Sequence, residues 1–234
     1  MTSMHRYLQL FCAAAALAGM MFPIPAEGAT LEQTLAKMDQ AANHFKGLSA
    51  KVQTTQHMEA IHEDDSSSGT ILVKRPNRKD LHVKMSIEKP EPKVVFADGN
   101  KVDVYYPASA EIQEVALGHR KSLVDMILTL GFGGSSKELQ NDYAVTLGGT
   151  DTVAGESATR LELLPKSKDM QEQWKKIDLW ISDTTGNAVQ QKFYERGKDY
   201  TVITYTGVQL NPEIPNSAFD LPKGTKKEPL NKKK

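Results

Sequence analysis

Between Gly69 and Val115 the chain alternates apolar and polar residues in short runs broken by Arg-Pro and Asp-Gly turns. A period of two over runs this short commits the backbone to antiparallel strands that share one apolar face. Ile71–Arg75 opens the series, followed by Leu81, Val83, Met85 and Ile87, then Val94–Ala97, and after the Asp98-Gly99 turn by Val102–Tyr106 and Ile112–Leu117. Upstream, Leu48, Ala50, Val52 and Met58 fall on one side with Lys51, Gln53 and Glu59 on the other, and Asp64–Gly69 reads as the turn into the next strand. Six strands joined by short links predict a meander. No nucleophile, base and metal ligand cluster among them, so the surface suits holding apolar matter rather than cleaving it.

Helices interrupt this pattern. Thr30 reads as a helix cap answered by Gln33, and Leu31, Leu35, Met38, Ala42 and Phe45 then recur on one helical face up to Gly47. From Gly118 the period of two is lost: Leu123, Val124, Met126, Ile127, Leu128 and Leu130 form a short, almost wholly apolar helix closed by Gly131-Phe132-Gly133-Gly134. Such a helix must be covered on nearly every side. A polar helical turn around Ser136–Gln140 follows, then strands at Tyr143–Leu147 and Ala158–Leu164, a helical piece at Asp169–Trp174, and strands at Ile177–Ile181, Val189–Tyr194 and Tyr200–Val208. The expected class is α+β, mainly antiparallel β, with about eleven strands in one domain.

The two ends read differently from the middle. Met1–Arg6 is a short basic start, Leu8–Phe22 an apolar run, and Ala26-Glu27-Gly28 a small-residue cleavage site, so residues 1–28 are expected to be a secretory signal removed in the periplasm. The single cysteine, Cys12, lies inside that run after Leu10-Phe11, which does not suit lipid attachment. The mature chain then has no disulfide, and its stability must come from its core. Lys+Arg and Asp+Glu both number 29, but Lys223, Lys226, Lys227 and Lys232–Lys234 crowd the far end. Residues 223–234 are therefore expected to be a basic, disordered tail, and the lack of a basic stripe in the folded part argues against nucleic-acid binding.

At Lys74-Arg75-Pro76-Asn77, Asp98-Gly99, Tyr105 with Pro107, and Gln113, the chain resembles the LolA-type periplasmic lipoprotein carriers. The likeness runs on through Leu163-Leu164-Pro165-Lys166, the Ile177–Ile181 strand, the Asp183–Gly186 turn and Phe219-Asp220-Leu221-Pro222-Lys223-Gly224. The resemblance implies an unclosed half-barrel of about eleven strands over residues 29–222, lidded by helices, whose cavity shields lipoprotein acyl chains on the way from inner to outer membrane. It implies as partners an acylated lipoprotein, an inner-membrane lipoprotein-releasing transporter and an outer-membrane acceptor. Where these carriers usually place aromatics after Arg-Pro this chain has Lys79 and Asp80, and where a tryptophan commonly precedes Tyr-x-Pro it has Asp103. A periplasmic lipid-binding or sensor protein of the same fold, with a glycolipid, hopanoid or phospholipid cargo, is the alternative.

Arg75 is the leading candidate for function, because it alternates with Ile71 and Val73 and so places a guanidinium at the rim of an apolar face, where it must find acceptors. By resemblance it matches the family arginine that holds the helical lid shut through backbone carbonyls. Leu123, Met126, Ile127, Leu130 and Phe132 are the candidate lid, with clustered glycines as a hinge and a buried core helix as the other reading; Leu81, Val83, Met85, Leu179, Ile181 and Phe193 are the candidate cavity lining, with an ordinary closed core as the other reading. No enzyme, cofactor or metal is expected. The histidines are scattered, and Gly155-Glu156-Ser157-Ala158-Thr159 lacks the final glycine of a nucleophile elbow and precedes a strand rather than a helix. The protein is expected to act as a monomer.

Overall fold

A computed structural model describes residues 28–77, 81–98, 101–116, 130–195 and 197–222, together with the backbone of 226–229. Helix α1, Leu31–His44, begins with the expected capping box: the Thr30 side chain accepts from the Gln33 N–H and the Gln33 side chain accepts from the Thr30 N–H. It ends three residues short of Gly47, at a cap on Phe45, and Gly47 starts the first strand. There the glycine is needed because a Cβ would collide with the Val73 carbonyl.

The strands form two meanders. The first comprises β1 (Gly47–Met58), β2 (Glu63–Lys74), β3 (His82–Lys89), β4 (Lys93–Asp98), β5 (Lys101–Tyr106) and β6 (Glu111–Ala116). The second comprises β7 (Tyr143–Val153), β8 (Glu156–Pro165), β9 (Lys176–Ser182), β10 (Ala188–Tyr194) and β11 (Tyr200–Leu210). Antiparallel pairing of β1 with β11 joins them into one sheet, ordered β12-β6-β5-β4-β3-β2-β1-β11-β10-β9-β8-β7, where β12 is Lys226–Pro229. The two edges, β12 and β7, do not pair with each other, so the sheet is an unclosed half-barrel with the helices on one side.

Two expectations need correcting. The Asp64–Gly69 run is not a turn: Glu63 to Lys74 forms an unbroken ladder with β1, and the reversal lies at 59–62. Cross-strand hydrogen bonds hold this outer part of the hairpin, whose side chains are nearly all exposed on both faces, so burial leaves no alternation to read. The expected disordered tail also fails over Lys226–Pro229, which runs parallel to β6 and pairs Lys226 with Glu111 and Pro229 with Glu114. Pro229, with no N–H to donate, suits the outer edge.

Alternation sets the inner face elsewhere. Leu48, Ala50 and Val52 on β1, Ile71 and Val73 on β2, Val83 on β3, Leu161 and Leu163 on β8, and Ile177, Leu179 and Ile181 on β9 share one buried cluster, joined by Leu35 and Met38 of α1. Helix α2, Ser136–Asp142, adds Leu139, while α3, Lys168–Gln173, is followed by Trp174, which lies 5.1 Å from the Phe193 ring. On the convex face, residues 211–222 cross β2 and β3: Lys74 Nζ donates to the Ile214 carbonyl and Lys84 Nζ to that of Ala218. That path carries the chain from the middle of the sheet to its β6 edge. Deleting 226–234 should remove only a short edge ladder. A loss of about 1 kcal/mol is expected, read as a fall in Tm of about 2–4 °C with far-ultraviolet circular dichroism retained.

Candidate functional site

The six residues expected to line a cavity meet on the concave face. Leu81, Val83, Leu179, Ile181 and Phe193 are all buried in one cluster, and Met85 packs against it, partly exposed. Of the expected lid residues, Leu123, Met126 and Ile127 lie outside the described residues. Leu130 and Phe132 are described, and both are fully buried within the same cluster. The segment 130–135, here called the strap, thus fills the concave face with the side chains of its own chain.

Three anchors hold the strap. Gln191 Nε2 donates to the Leu130 carbonyl at 2.7 Å, the Ala188 N–H donates to the Gly131 carbonyl at 3.1 Å, and Arg75 Nη1 donates to the Gly133 carbonyl at 2.9 Å. At its far end Asp39 of α1 accepts from both the N–H and the hydroxyl of Ser136, each at 2.7 Å, fixing the start of α2. The backbone path requires glycine twice. Gly131 has φ +107 and a Cβ there would come within 2.7 Å of the Ala188 Cβ; Gly133 has φ +76 and would meet Phe45 Cδ1 at 2.6 Å. Clustered glycines that suggested a hinge therefore also permit close docking.

Arg75 lies just past the end of β2, half-buried, with its N–H on the Lys46 carbonyl and its guanidinium 5.6 Å from the Phe45 ring centroid. The planar cation covers the aromatic face while a nitrogen reaches the strap. Beside it an open groove of about 680 Å³ is lined by Lys46, Lys74, Arg75, Asn211 and Glu213 among others. The strap's rim is therefore wet on the Arg75 side and dry on the Gln191 side.

Gln191, Tyr205 and Asp39 escaped the sequence reading. Gln191 is 1% exposed and shares its strand face with Phe193; Tyr205 is 3% exposed and packs edge-on to Phe132 at 4.9 Å. Tyr205 Oη donates to Gln191 Oε1 at 3.1 Å. The Leu130 carbonyl only accepts, which fixes the Gln191 amide with its nitrogen toward the strap and its oxygen toward Tyr205. Burial pushes the Tyr205 phenol well above its usual range, so it stays protonated and available as the donor. In the sequence Gln191 sits between Gln190 and Lys192, and only its place two residues before Phe193 hints that it faces inward. Elsewhere, His57, at the outer end of the β1–β2 hairpin, donates when protonated to the carboxylates of Asp64 at 2.7 Å and Glu59 at 3.2 Å and stacks on Tyr200 at 4.7 Å.

The chain has counterparts among known proteins. The family model for the outer membrane lipoprotein carrier protein LolA matches residues 43–222. The chain belongs to the LolA family. An outer-membrane lipoprotein carrier protein of Cupriavidus taiwanensis is 26% identical over 228 residues, covering 94% of this chain and 96% of the relative. One from Cupriavidus pinatubonensis is 26% identical over 227 residues, with the same coverage of 94% and 96%. Among solved structures, a conserved protein of Thermus thermophilus superimposes with a TM-score of 0.54 at 12% identity, covering 85% of this chain and 98% of that one, which shows the shared fold. Among the described residues no helix is long and apolar enough to cross a membrane.

Proposed function

We propose that this chain is a periplasmic carrier that takes an acylated lipoprotein from an inner-membrane releasing transporter, shields its acyl chains on the concave face, and delivers it to an outer-membrane acceptor. The observation that carries the reading is the strap: Leu130 and Phe132 occupy an apolar concave face and are tied there by Gln191, Ala188 and Arg75. An acyl chain gains about 0.8 kcal/mol for each methylene withdrawn from water, far more than a lipoprotein can forgo while crossing an aqueous space. Returning Leu130 and Phe132 to the face recovers about 1.5–3 kcal/mol per side chain. That recoil opposes retention without preventing loading, which is the balance a carrier needs if it must also let go. Arg75 is the latch in this reading.

An environment-sensitive fatty-acyl probe should bind the purified protein at micromolar concentration and be displaced by a diacylated lipopeptide. Probe binding absent from protein that is folded by circular dichroism would overturn the reading. Binding without handover to acceptor liposomes or to an outer-membrane acceptor would leave the lipid-binding or sensor alternative in its place.

A further inference from the structure

We infer that Gln191 and Tyr205 form a carbonyl-recognition subsite on the concave face, occupied at rest by the Leu130 carbonyl and in the loaded protein by an ester or amide carbonyl of the cargo's acyl linkage. The inference rests on the carrier reading and adds to it a chemical class of ligand.

The starting point is an amide where apolar side chains would serve a sheet better. Gln191 faces inward between cross-strand partners Leu179 and Ile203, on a strand face it shares with Phe193. The residue is 1% exposed and both ends of its carboxamide are engaged: Nε2 donates to the strap and Oε1 accepts from Tyr205, itself in the core. If the concave face served only to cover hydrocarbon, this pair would be a liability whenever the strap left. Pulling out Leu130 strands an N–H in an apolar space, and water is excluded as soon as cargo enters.

The vacated position is specified by chemistry. It must supply an acceptor, because Gln191 presents an N–H held in one orientation by Tyr205. The acceptor is expected to be uncharged, because among the described residues no cation is bonded to the dyad and its two side chains are buried. It must also be attached to apolar groups, because Leu179, Phe193 and Phe132 surround the dyad's face. A peptide carbonyl bearing a leucine side chain fits that description at rest. An acyl ester or N-acyl amide, a carbonyl joined directly to a hydrocarbon chain, fits it in the loaded state. The strap thus imitates cargo at the polar linkage as well as along the chain.

The test is a set of synthetic glyceryl-cysteine lipopeptides equal in chain length: one with two ester-linked acyl chains, one with two ether-linked alkyl chains, and one ether-linked with an added N-acyl chain. Wild-type protein should bind the diester about tenfold more tightly than the diether, since an ether cannot present a carbonyl. Recovery of affinity with the N-acylated diether beyond the gain expected from its third chain, measured on Gln191→Leu protein, would assign the subsite to the amide; no such recovery would assign it to the ester. Gln191→Leu with Tyr205→Phe removes both side-chain polar groups together, leaves the Leu130 carbonyl without its donor at rest, and should abolish the ester preference while keeping affinity for the diether at or above that of wild type. Equal binding of diester and diether by wild type, with no recovery by the N-acylated diether, overturns the inference and leaves the carrier reading intact, whereas failure of all three to bind overturns the carrier reading itself. Should the double variant misfold, the Tyr205→Phe single variant, in which Gln191 keeps the strap bond but loses its orientation, must narrow the ester preference or the inference falls.

Discussion

Arg75→Leu protein is expected to keep its cargo. The guanidinium donates to the Gly133 carbonyl and covers the Phe45 ring, so it favours the state in which the strap fills the concave face. A charge-assisted hydrogen bond contributes about 1.5–3 kcal/mol when buried, and the half-exposed setting of Arg75 brings this toward about 1 kcal/mol. Removing it makes the strap easier to displace and weakens the recoil that expels an acyl chain, because a ligand that binds one state is opposed only by the stability of the other. Lipopeptide affinity should rise about fivefold, and handover to an acceptor should slow by a similar factor, with Tm within a few degrees of wild type. Arg75→Lys, which keeps charge but not the planar fork, should fall between. Wild-type retention and transfer in the leucine variant would reduce Arg75 to a strand-end residue.

Phe132→Ala should have the larger effect on the strap. Phe132 is completely buried, packs edge-on to Tyr205 and lies between the two glycines that set the strap's path. Truncating a buried phenylalanine costs about 3–5 kcal/mol. In a strap that docks on a sheet already complete without it, that loss falls on docking rather than on the whole fold. Expected, then, is a strong rise in hydrophobic-dye binding and faster cargo uptake, with β-sheet circular dichroism preserved. A cooperative loss of global stability of that size, with no gain in dye binding, would make Phe132 an ordinary core residue and remove the ground for a moving strap.

How much of this was legible depended on what holds each element. The α1 capping box and the inner-face alternation of Val83, Leu179 and Phe193 were readable because a local rule and burial agree there. The outer half of β2 was not, because Asp64–Gly69 is held by the ladder to β1 while its side chains stay largely in water. Arg75 stood out by breaking an apolar alternation. Gln191 broke one as well, but beside Gln190 and Lys192 it blends into a polar stretch, and only the register with Leu179 and the Tyr205 hydroxyl shows that it faces inward. Strand β12 lacks any alternation: two lysines, a glutamate and a proline reach the β6 edge only because residues 211–222 have first been laid across the convex face.

The pairing of β1 with β11 leaves the middle of the sheet open until every strand but β12 has been made. A chain emerging amino end first presents β1 with β2 along one edge and nothing along the other until some hundred and fifty residues later, when Tyr200–Leu210 arrives. During that interval the β1 edge offers unpaired N–H and C=O groups beside Leu48, Ala50 and Val52, a template for the strand of any neighbouring molecule. Contacts this distant in sequence also slow folding. Yield of such a protein is therefore expected to respond to holdase supply more steeply than its modest size would suggest.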